Sequence, residues 1–178
     1  MKVYFSHGKE SGPWGSKIKR LAASATHYGY DVESIDYTSI SSPDLRVEKL
    51  IGSVLHDDEI ILVGSSMGGY VSLVAASQLN AKAIFLLAPA LYMAGYSQQN
   101  YATSCPSIEV IHGWSDDVIP VEHSIKFARE NNCTLHLIDG DHRLNSSIEV
   151  VSDIFESFLV KQLKSKQINE SSDDSTVT

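Results

Sequence analysis

The sequence is poor in cysteine and has no long apolar run, and these two scarcities exclude several classes of protein. Its two thiols, Cys105 and Cys133, lack the paired spacing of a zinc site and are too few for a disulfide framework. We expect both to be reduced, although a single bridge between them stays open. Because the cysteine spacing does not match a metal site, we expect none. No stretch approaches the roughly 20 apolar residues that span a membrane, so we expect no membrane insertion.

Basic residues are also scarce relative to acidic ones. The chain has 14 Lys and Arg against 22 Asp and Glu, a net charge of −8. This charge disfavours nucleic acid or an anionic membrane as the main partner. Met1 leads almost directly into the apolar Val3–Phe5, which leaves no room for a signal peptide, so we expect a cytoplasmic protein.

The length of 178 residues fits one domain. We predict that this domain occupies residues 1–163. From residue 164 the chain becomes polar and acidic, and we predict a disordered tail at 164–178 because so few apolar residues cannot order it.

The most informative stretch is an apolar run, Ile60–Val63, that stops at Gly64-Ser65-Ser66-Met67-Gly68 and is followed by a helical pattern. This predicts a buried strand, a tight turn and a helix packed back onto the sheet. A G-x-S-x-G turn in that context is a nucleophile elbow, with Ser66 as the candidate nucleophile. Glycines are expected two residues before and after the serine because side chains there would collide with neighbouring backbone. The alternative is a turn without chemistry.

The rest of the chain alternates strands with helices. Strands are predicted at 2–6, 32–37, 60–63, 83–88, 108–111 and 134–138. The second helix is predicted to start at Ser42 and Pro43 and to bury a stripe of Val47, Leu50, Ile51, Val54 and Leu55. We therefore predict a three-layer α/β fold, with a mostly parallel six-stranded sheet in the order 2-1-3-4-5-6 and helices on both faces.

Ligands bind beyond the carboxyl ends of the strands in such sheets. His7-Gly8-Lys9, Ser66, Asp116 and His142 all follow strand ends, so the topology places them on one rim. A serine needs a base, and His142 is the late histidine outside regular structure, in the chain order serine, acid, histidine. For His7 and His112, which each precede a glycine at a strand end, we favour a structural role as hydrogen-bond partners that pin their loops.

A serine nucleophile also needs donors for the oxyanion of the tetrahedral intermediate. The backbone N–H of Met67 is one candidate, because it lies at a helix N-terminus. The second donor is expected from the turn after the first strand, where Lys9 is favoured and Glu10 is the alternative.

Four motifs in this order resemble the α/β-hydrolase superfamily: HG after an early strand, G-x-S-x-G, HG-x-x-D-x-x-I-P, and D-H before the last helix. The resemblance covers roughly residues 1–160 and is strongest to small, lidless bacterial serine esterases of the YqiA-like kind. It implies a Ser66–His142–Asp116 triad, acyl-enzyme hydrolysis and no cofactor. The spacing of the third motif selects Asp116 rather than Asp117 as the acid.

The expected substrate is a small-molecule carboxylic ester or thioester, acyl-CoA thioesters among them. Tyr92, Met93, Tyr96 and Trp114 are expected to line its pocket, although the loop at 89–106 could instead cap the core. Two other functions stay open at this point: a catalytically silent binding or interaction module, and a small peptidase or amidase of the same fold. The oligomeric state is left open.

Overall fold

The computed structural model describes residues 1–54 and 59–173. The strands are β1 (Lys2–Ser6), β2 (Asp31–Ile35), β3 (Ile60–Ser65), β4 (Ala83–Leu87), β5 (Ile108–Gly113) and β6 (Thr134–Ile138). They form one parallel six-stranded sheet in the order β2-β1-β3-β4-β5-β6. The predicted fold class and strand order are therefore confirmed.

Five helices connect and flank these strands: α1 (Ser16–His27), α2 (Pro43–Ser53), α3 (Met67–Ala76), α4 (Val121–Asn131) and α5 (Ile148–Asp173). The start of α2 agrees with the prediction, since Ser42 Oγ accepts the Leu45 N–H at 3.3 Å and Pro43 is the first helical residue. Leu55, which was predicted on the buried stripe of this helix, lies outside the described residues.

Each face of the sheet is covered by its own hydrophobic cluster. Leu21 of α1 and Phe155 of α5 belong to the cluster on one face. Leu50 of α2, Val71 of α3 and Phe127 of α4 belong to the cluster on the other. The sheet therefore lies between two separate helical layers.

The last helix is longer than predicted. Residues 164–173, which were expected to be disordered, continue α5, while residues 174–178 lie outside the described part of the chain. Extending an existing helix avoids the cost of nucleation and so needs little burial. Lys166 Nζ also lies 2.9 Å from Glu59 Oε2. None of the helices described, α5 included, is both long and apolar enough to cross a membrane.

Candidate active site

Ser66 lies at a sharp turn between β3 and α3, with φ 54° and ψ −120°. This conformation is costly for a residue other than glycine and is held by the surroundings. The Ser66 N–H donates to the carbonyl of Leu87 at 2.9 Å. A Cβ on Gly64 would lie 2.2 Å from the Gly68 carbonyl oxygen. A Cβ on Gly68 would lie 2.0 Å from the Ser6 carbonyl oxygen. The predicted need for both glycines is confirmed.

The structure brings the predicted serine, histidine and aspartate into one hydrogen-bonded row. His142 Nε2 lies 3.0 Å from Ser66 Oγ, and His142 Nδ1 lies 2.8 Å from Asp116 Oδ2. Because an ionised carboxylate can only accept, Nδ1 carries the proton and Nε2 is free to accept the serine hydroxyl. This is the arrangement that general-base activation of a hydroxyl requires.

Asp116 is held by its own loop as well as by His142. Its Oδ1 accepts the backbone N–H groups of Val118 at 2.9 Å and Ile119 at 2.8 Å. Burial alone would raise the pKa of Asp116, but the hydrogen bonds from Ile119, His142 and Val118 hold it below the ordinary value of an aspartate. The carboxylate therefore stays ionised and fixed in orientation.

His112 contacts the same carboxylate oxygen as His142. Its Nε2 lies 3.0 Å from Asp116 Oδ2 and 3.1 Å from the Ile119 carbonyl, and its Nδ1 lies 2.7 Å from Ser124 Oγ. Burial lowers the pKa of His112, so the imidazole is neutral, with Nε2–H donating and Nδ1 accepting from Ser124. His112 thus pins its loop as predicted, but its contact with the acid was missed. Asp117, next to that acid, is exposed.

The loops that carry the acid and the base are joined through their backbones. The Ser115 N–H donates to the carbonyl of Gly140 at 3.0 Å. A Cβ on Gly113 would lie 2.2 Å from that same oxygen, so only glycine fits there. The distance between Asp116 and His142 is therefore set by a backbone contact, not by the two side chains alone.

The turn after β1 is fixed by His7. Its Nδ1 donates to the Gly8 carbonyl at 2.8 Å, because its Nε2 accepts the backbone N–H of Tyr37 at 2.9 Å. Burial lowers the pKa of His7, which keeps the ring neutral and able to do both. The pinning role predicted for His7 agrees with these contacts.

Arg46 of α2 holds the same turn and was not recognised from the sequence. It is only 2% exposed, and its Nη1 lies 3.3 Å from the carbonyl oxygens of both His7 and Gly8. In a trans peptide the C=O and N–H point in opposite directions, so the N–H of Lys9 is directed away from Arg46. A Cβ on Gly8 would lie 3.4 Å from the Cβ of Ser66, which shows how closely this turn approaches the serine.

Ser66 and His142 open onto a cavity of about 620 Å³. Met93 and Tyr96, both predicted to bind substrate, lie in its wall. The remaining lining includes the turn at 7–12, the start of α1 and the segments after β3, β4, β5 and β6: Gly8, Lys9, Glu10, Gly15–Ile18, Met67, Ala90, Val118, Ile119, Arg143 and Asn145.

Tyr92 and Trp114 do not line this cavity, which corrects the prediction. Tyr92 has φ 56°, and this left-handed backbone turns its ring onto Tyr101, with centroids 4.9 Å apart. Its hydroxyl donates to Glu130 Oε2 at 2.6 Å. Trp114 is 59% exposed on the surface. Leu91 and Tyr101 are buried in the core, so the loop at 89–106 partly lines the cavity and partly caps the core.

The two cysteines are not joined by a disulfide, and both are expected to stay protonated. Cys105 and Cys133 are both free, and burial raises the pKa of each, that of Cys133 to about 11. A protonated thiol is a poor nucleophile and metal ligand. In the ranges 1–54 and 59–173, no group of three or more His, Cys, Asp and Glu side chains is placed to hold a metal ion.

Comparison with protein families gives a match over the first part of the chain. A family model described as "Uncharacterised protein family (UPF0227)" matches residues 1–103, more than half of the chain. The matched segment contains the turn at His7–Lys9, Arg46 and the Ser66 elbow, and it ends before Asp116 and His142. No curated protein matches the chain at a significant level.

Solved structures similar to this chain share its fold. A Xanthomonas campestris pv. campestris protein, placed in the alpha/beta hydrolase superfamily, is 26% identical, with a TM-score of 0.83 over 90% of this chain and 98% of its own. Est1E from Butyrivibrio proteoclasticus is 18% identical, with a TM-score of 0.72 over 91% and 88%. A Xanthomonas campestris serine hydrolase described as lacking a lid is 20% identical, with a TM-score of 0.66 over 90% and 82%.

Proposed function

The chain belongs to the UPF0227 family and has the α/β-hydrolase fold, and on this basis we propose that it is a serine hydrolase of small carboxylic esters or thioesters. The observation that carries the proposal is the row of two hydrogen bonds from Ser66 to His142, 3.0 Å, and from His142 to Asp116, 2.8 Å. This row ends at a cavity that could hold a small acyl substrate.

In the first step, Ser66 Oγ attacks the carbonyl carbon of the substrate while His142 Nε2 takes the hydroxyl proton. Asp116 keeps its negative charge throughout. It holds the imidazole in the tautomer with the proton on Nδ1 and stabilises the imidazolium that forms. Its lowered pKa fits this role, because a neutral carboxyl group would do neither.

The negative charge that develops on the substrate oxygen needs fixed donors. The N–H of Met67 is suited to this, as the first residue of α3. The N–H of Lys9 is the proposed second donor and is favoured over Glu10, because its peptide is oriented by the contacts of the Gly8 carbonyl with His7 and Arg46.

The intermediate then collapses, the bond to the leaving oxygen or sulfur breaks, and His142 returns its proton to the leaving alcohol or thiol. Water enters next and gives a proton to His142 while its oxygen attacks the acyl carbon. The bond to Ser66 Oγ breaks, the acid leaves and the serine regains its proton. The balance is one ester and one water consumed, and one acid and one alcohol or thiol produced.

The test is labelling of the folded protein with a fluorophosphonate probe, followed by turnover of p-nitrophenyl esters and acyl thioesters of increasing chain length. Wild type and Ser65→Ala should label and turn over substrate, whereas Ser66→Ala should not label and should lose nearly all turnover. Ser65 is the matched control because it is the adjacent serine and also lines the cavity. Residual activity of Ser66→Ala over water can still reach about 10³-fold from the oxyanion donors alone.

Wild-type turnover by Ser66→Ala would rule out the serine mechanism. If the folded wild type neither labels at Ser66 nor hydrolyses any ester or thioester, the chain is better explained as a binding module. Cleavage of amides at a rate comparable with esters would favour a peptidase or amidase.

A further inference from the structure

The cavity next to Ser66 has two walls of different chemistry, supplied by the two helical layers. Met93 and Tyr96, from the loop after β4, form one wall, and the Tyr96 ring packs 4.6 Å from the ring of Tyr70 on the side of α2 and α3. On the side of α1 and α5, the wall is formed by the first turn of α1 and by Arg143. The first wall is apolar and aromatic, whereas the second carries charge.

The charge around the cavity is mostly positive, in a chain that is mostly negative. Lys9, Lys17 and Arg143 line the cavity, against one acidic side chain, Glu10. The whole chain has 14 basic and 22 acidic residues. Across the described residues, none of these three cations has a carboxylate within 4.0 Å, whereas five other cationic side chains form salt bridges: Lys2, Arg20, Lys126, Lys161 and Lys166.

Lys17 is the most informative of the three. It is half-buried, and its Nζ donates to the backbone carbonyl of Arg143 at 3.0 Å, an acceptor that orients the ammonium without neutralising it. The carboxylates whose charges act on it, Asp141 and Asp116, both lie beyond 4.0 Å, so its charge is only partly compensated. A partly buried and incompletely compensated cation is costly, and the cost falls when an anion binds beside it. The first turn of α1, which shares this wall, contains no acidic residue, so the helix dipole adds to the positive potential.

We propose that Lys17 and Arg143 form an anion subsite that selects substrates bearing a carboxylate or phosphate group beside the scissile ester, while Met93 and Tyr96 hold the uncharged part. This rests on the proposed function and assigns a substrate class to the same site. The anionic group can belong either to the acyl part or to the leaving alcohol, and the two arms of the experiment distinguish these.

The experiment compares kcat/KM within two matched pairs of esters. The acyl arm uses p-nitrophenyl butyrate and p-nitrophenyl hemisuccinate, and the alcohol arm uses phenyl butyrate and 3-carboxyphenyl butyrate. The wild type should prefer the charged member of at least one pair, and the preference should weaken with added salt. Lys17→Gln and Arg143→Gln should each lower the charged-to-neutral ratio about tenfold, the scale of one charged hydrogen bond. Lys19→Gln, an exposed residue of α1 outside the cavity, is the control and should leave the ratio unchanged.

A wild type that hydrolyses the neutral esters but prefers neither charged ester overturns the subsite and leaves the serine hydrolase intact. An unchanged ratio in both Lys17→Gln and Arg143→Gln also overturns it. If no ester is hydrolysed, the proposed function fails, and calorimetric titration of Ser66→Ala with 4-phenylbutyrate and 4-phenylbutanamide tests the subsite separately. The subsite is supported if 4-phenylbutyrate binds more tightly than 4-phenylbutanamide and if this difference disappears when Lys17→Gln is added to Ser66→Ala. Equal binding of the two compounds to Ser66→Ala overturns the subsite.

Discussion

Arg46 Nη1 lies 3.3 Å from the carbonyl oxygen of Gly8, on the opposite side of the peptide from the N–H that Lys9 presents. A buried arginine from α2 therefore orients a backbone donor of the proposed oxyanion site without touching the substrate. Its chemistry suits this role because one planar guanidinium can donate to several carbonyls at once.

The first prediction is that Arg46→Met lowers kcat about ten- to a hundredfold with little change in KM. Loss of a complete oxyanion donor costs about 10²–10³ in kcat, and a misdirected donor should cost less. Arg46→Lys should recover part of the loss, because it keeps a charged donor for the His7 and Gly8 carbonyls but has no second nitrogen to replace the Nε–H bond to the Ile40 carbonyl.

Steady-state kinetics of both variants, with thermal unfolding measured alongside, checks this. A merely structural role would lower the melting temperature but leave kcat per folded molecule at the wild-type level. That result would show that Arg46 does not position the Lys9 N–H for catalysis.

The second prediction separates two adjacent aspartates. Asp116→Asn should reduce turnover by up to about 10⁴-fold, because an amide no longer enforces the Nδ1–H tautomer of His142. Asp117→Asn should lose less than about tenfold, since its side chain is exposed and Asp116 already fills the position beside the imidazole.

Turnover numbers of the two variants, with folding checked by circular dichroism, decide between them. A larger loss in Asp117→Asn would mean that the acid has been assigned to the wrong residue. Small losses in both would mean that the acid does not contribute through His142.

The third prediction concerns the pH dependence of substrate choice. Burial lowers the pKa of Lys17 to about 8, so its ammonium form is present below that pH and is lost above it. The preference for an anionic ester should therefore be full at pH 6 to 7 and decline as the pH rises through about 8. Because kcat/KM reports the free enzyme, and both esters use the same His142, the ratio of the two isolates this titration.

Lys17→Arg is the matched variant, because a guanidinium stays charged in this range. It should keep the anion preference at pH 9. A wild-type ratio that does not change between pH 6 and 9 would contradict the assignment to Lys17.

The fourth prediction concerns the end of the chain. Deletion of residues 165–178 removes the ion pair between Lys166 and Glu59, which is partly exposed and worth at most about 1 kcal/mol. For a domain of this size, the melting temperature should fall by no more than about 4 °C, with activity retained. A larger fall, measured by differential scanning calorimetry, would show that the end of α5 packs firmly on the domain.

The sequence was sufficient for the parts of the fold and site that depend on local pattern. Ser66 follows from a strand, a turn and a helix whose glycines have no steric alternative, and the strand order follows from handed crossovers. The position of Asp116 followed from motif spacing. These features need no knowledge of how distant side chains meet.

The features that could not be predicted depend on contacts between residues that are far apart in the sequence, or on a loop conformation. Arg46 lies four residues before Leu50, on the buried stripe of α2, but a charged residue there could equally reach solvent. Tyr92 was misplaced because nothing in a loop sequence indicates its positive φ. The Nζ of Lys17 contacts the carbonyl of Arg143, 126 positions later in the chain, and no local pattern indicates a contact over that separation.

The bond from the Ser115 N–H to the Gly140 carbonyl has a consequence for local motion. This bond and the adjoining bond from the Trp114 N–H to the Ile138 carbonyl tie together the backbones that lead into the loops of Asp116 and His142, so we expect the two loops to separate only when both bonds break. The Ser115 and Trp114 amides should therefore exchange their hydrogens with solvent at matching free energies of opening. Their deuterium uptake would report how often the acid and base separate, in the resting protein and without any substrate.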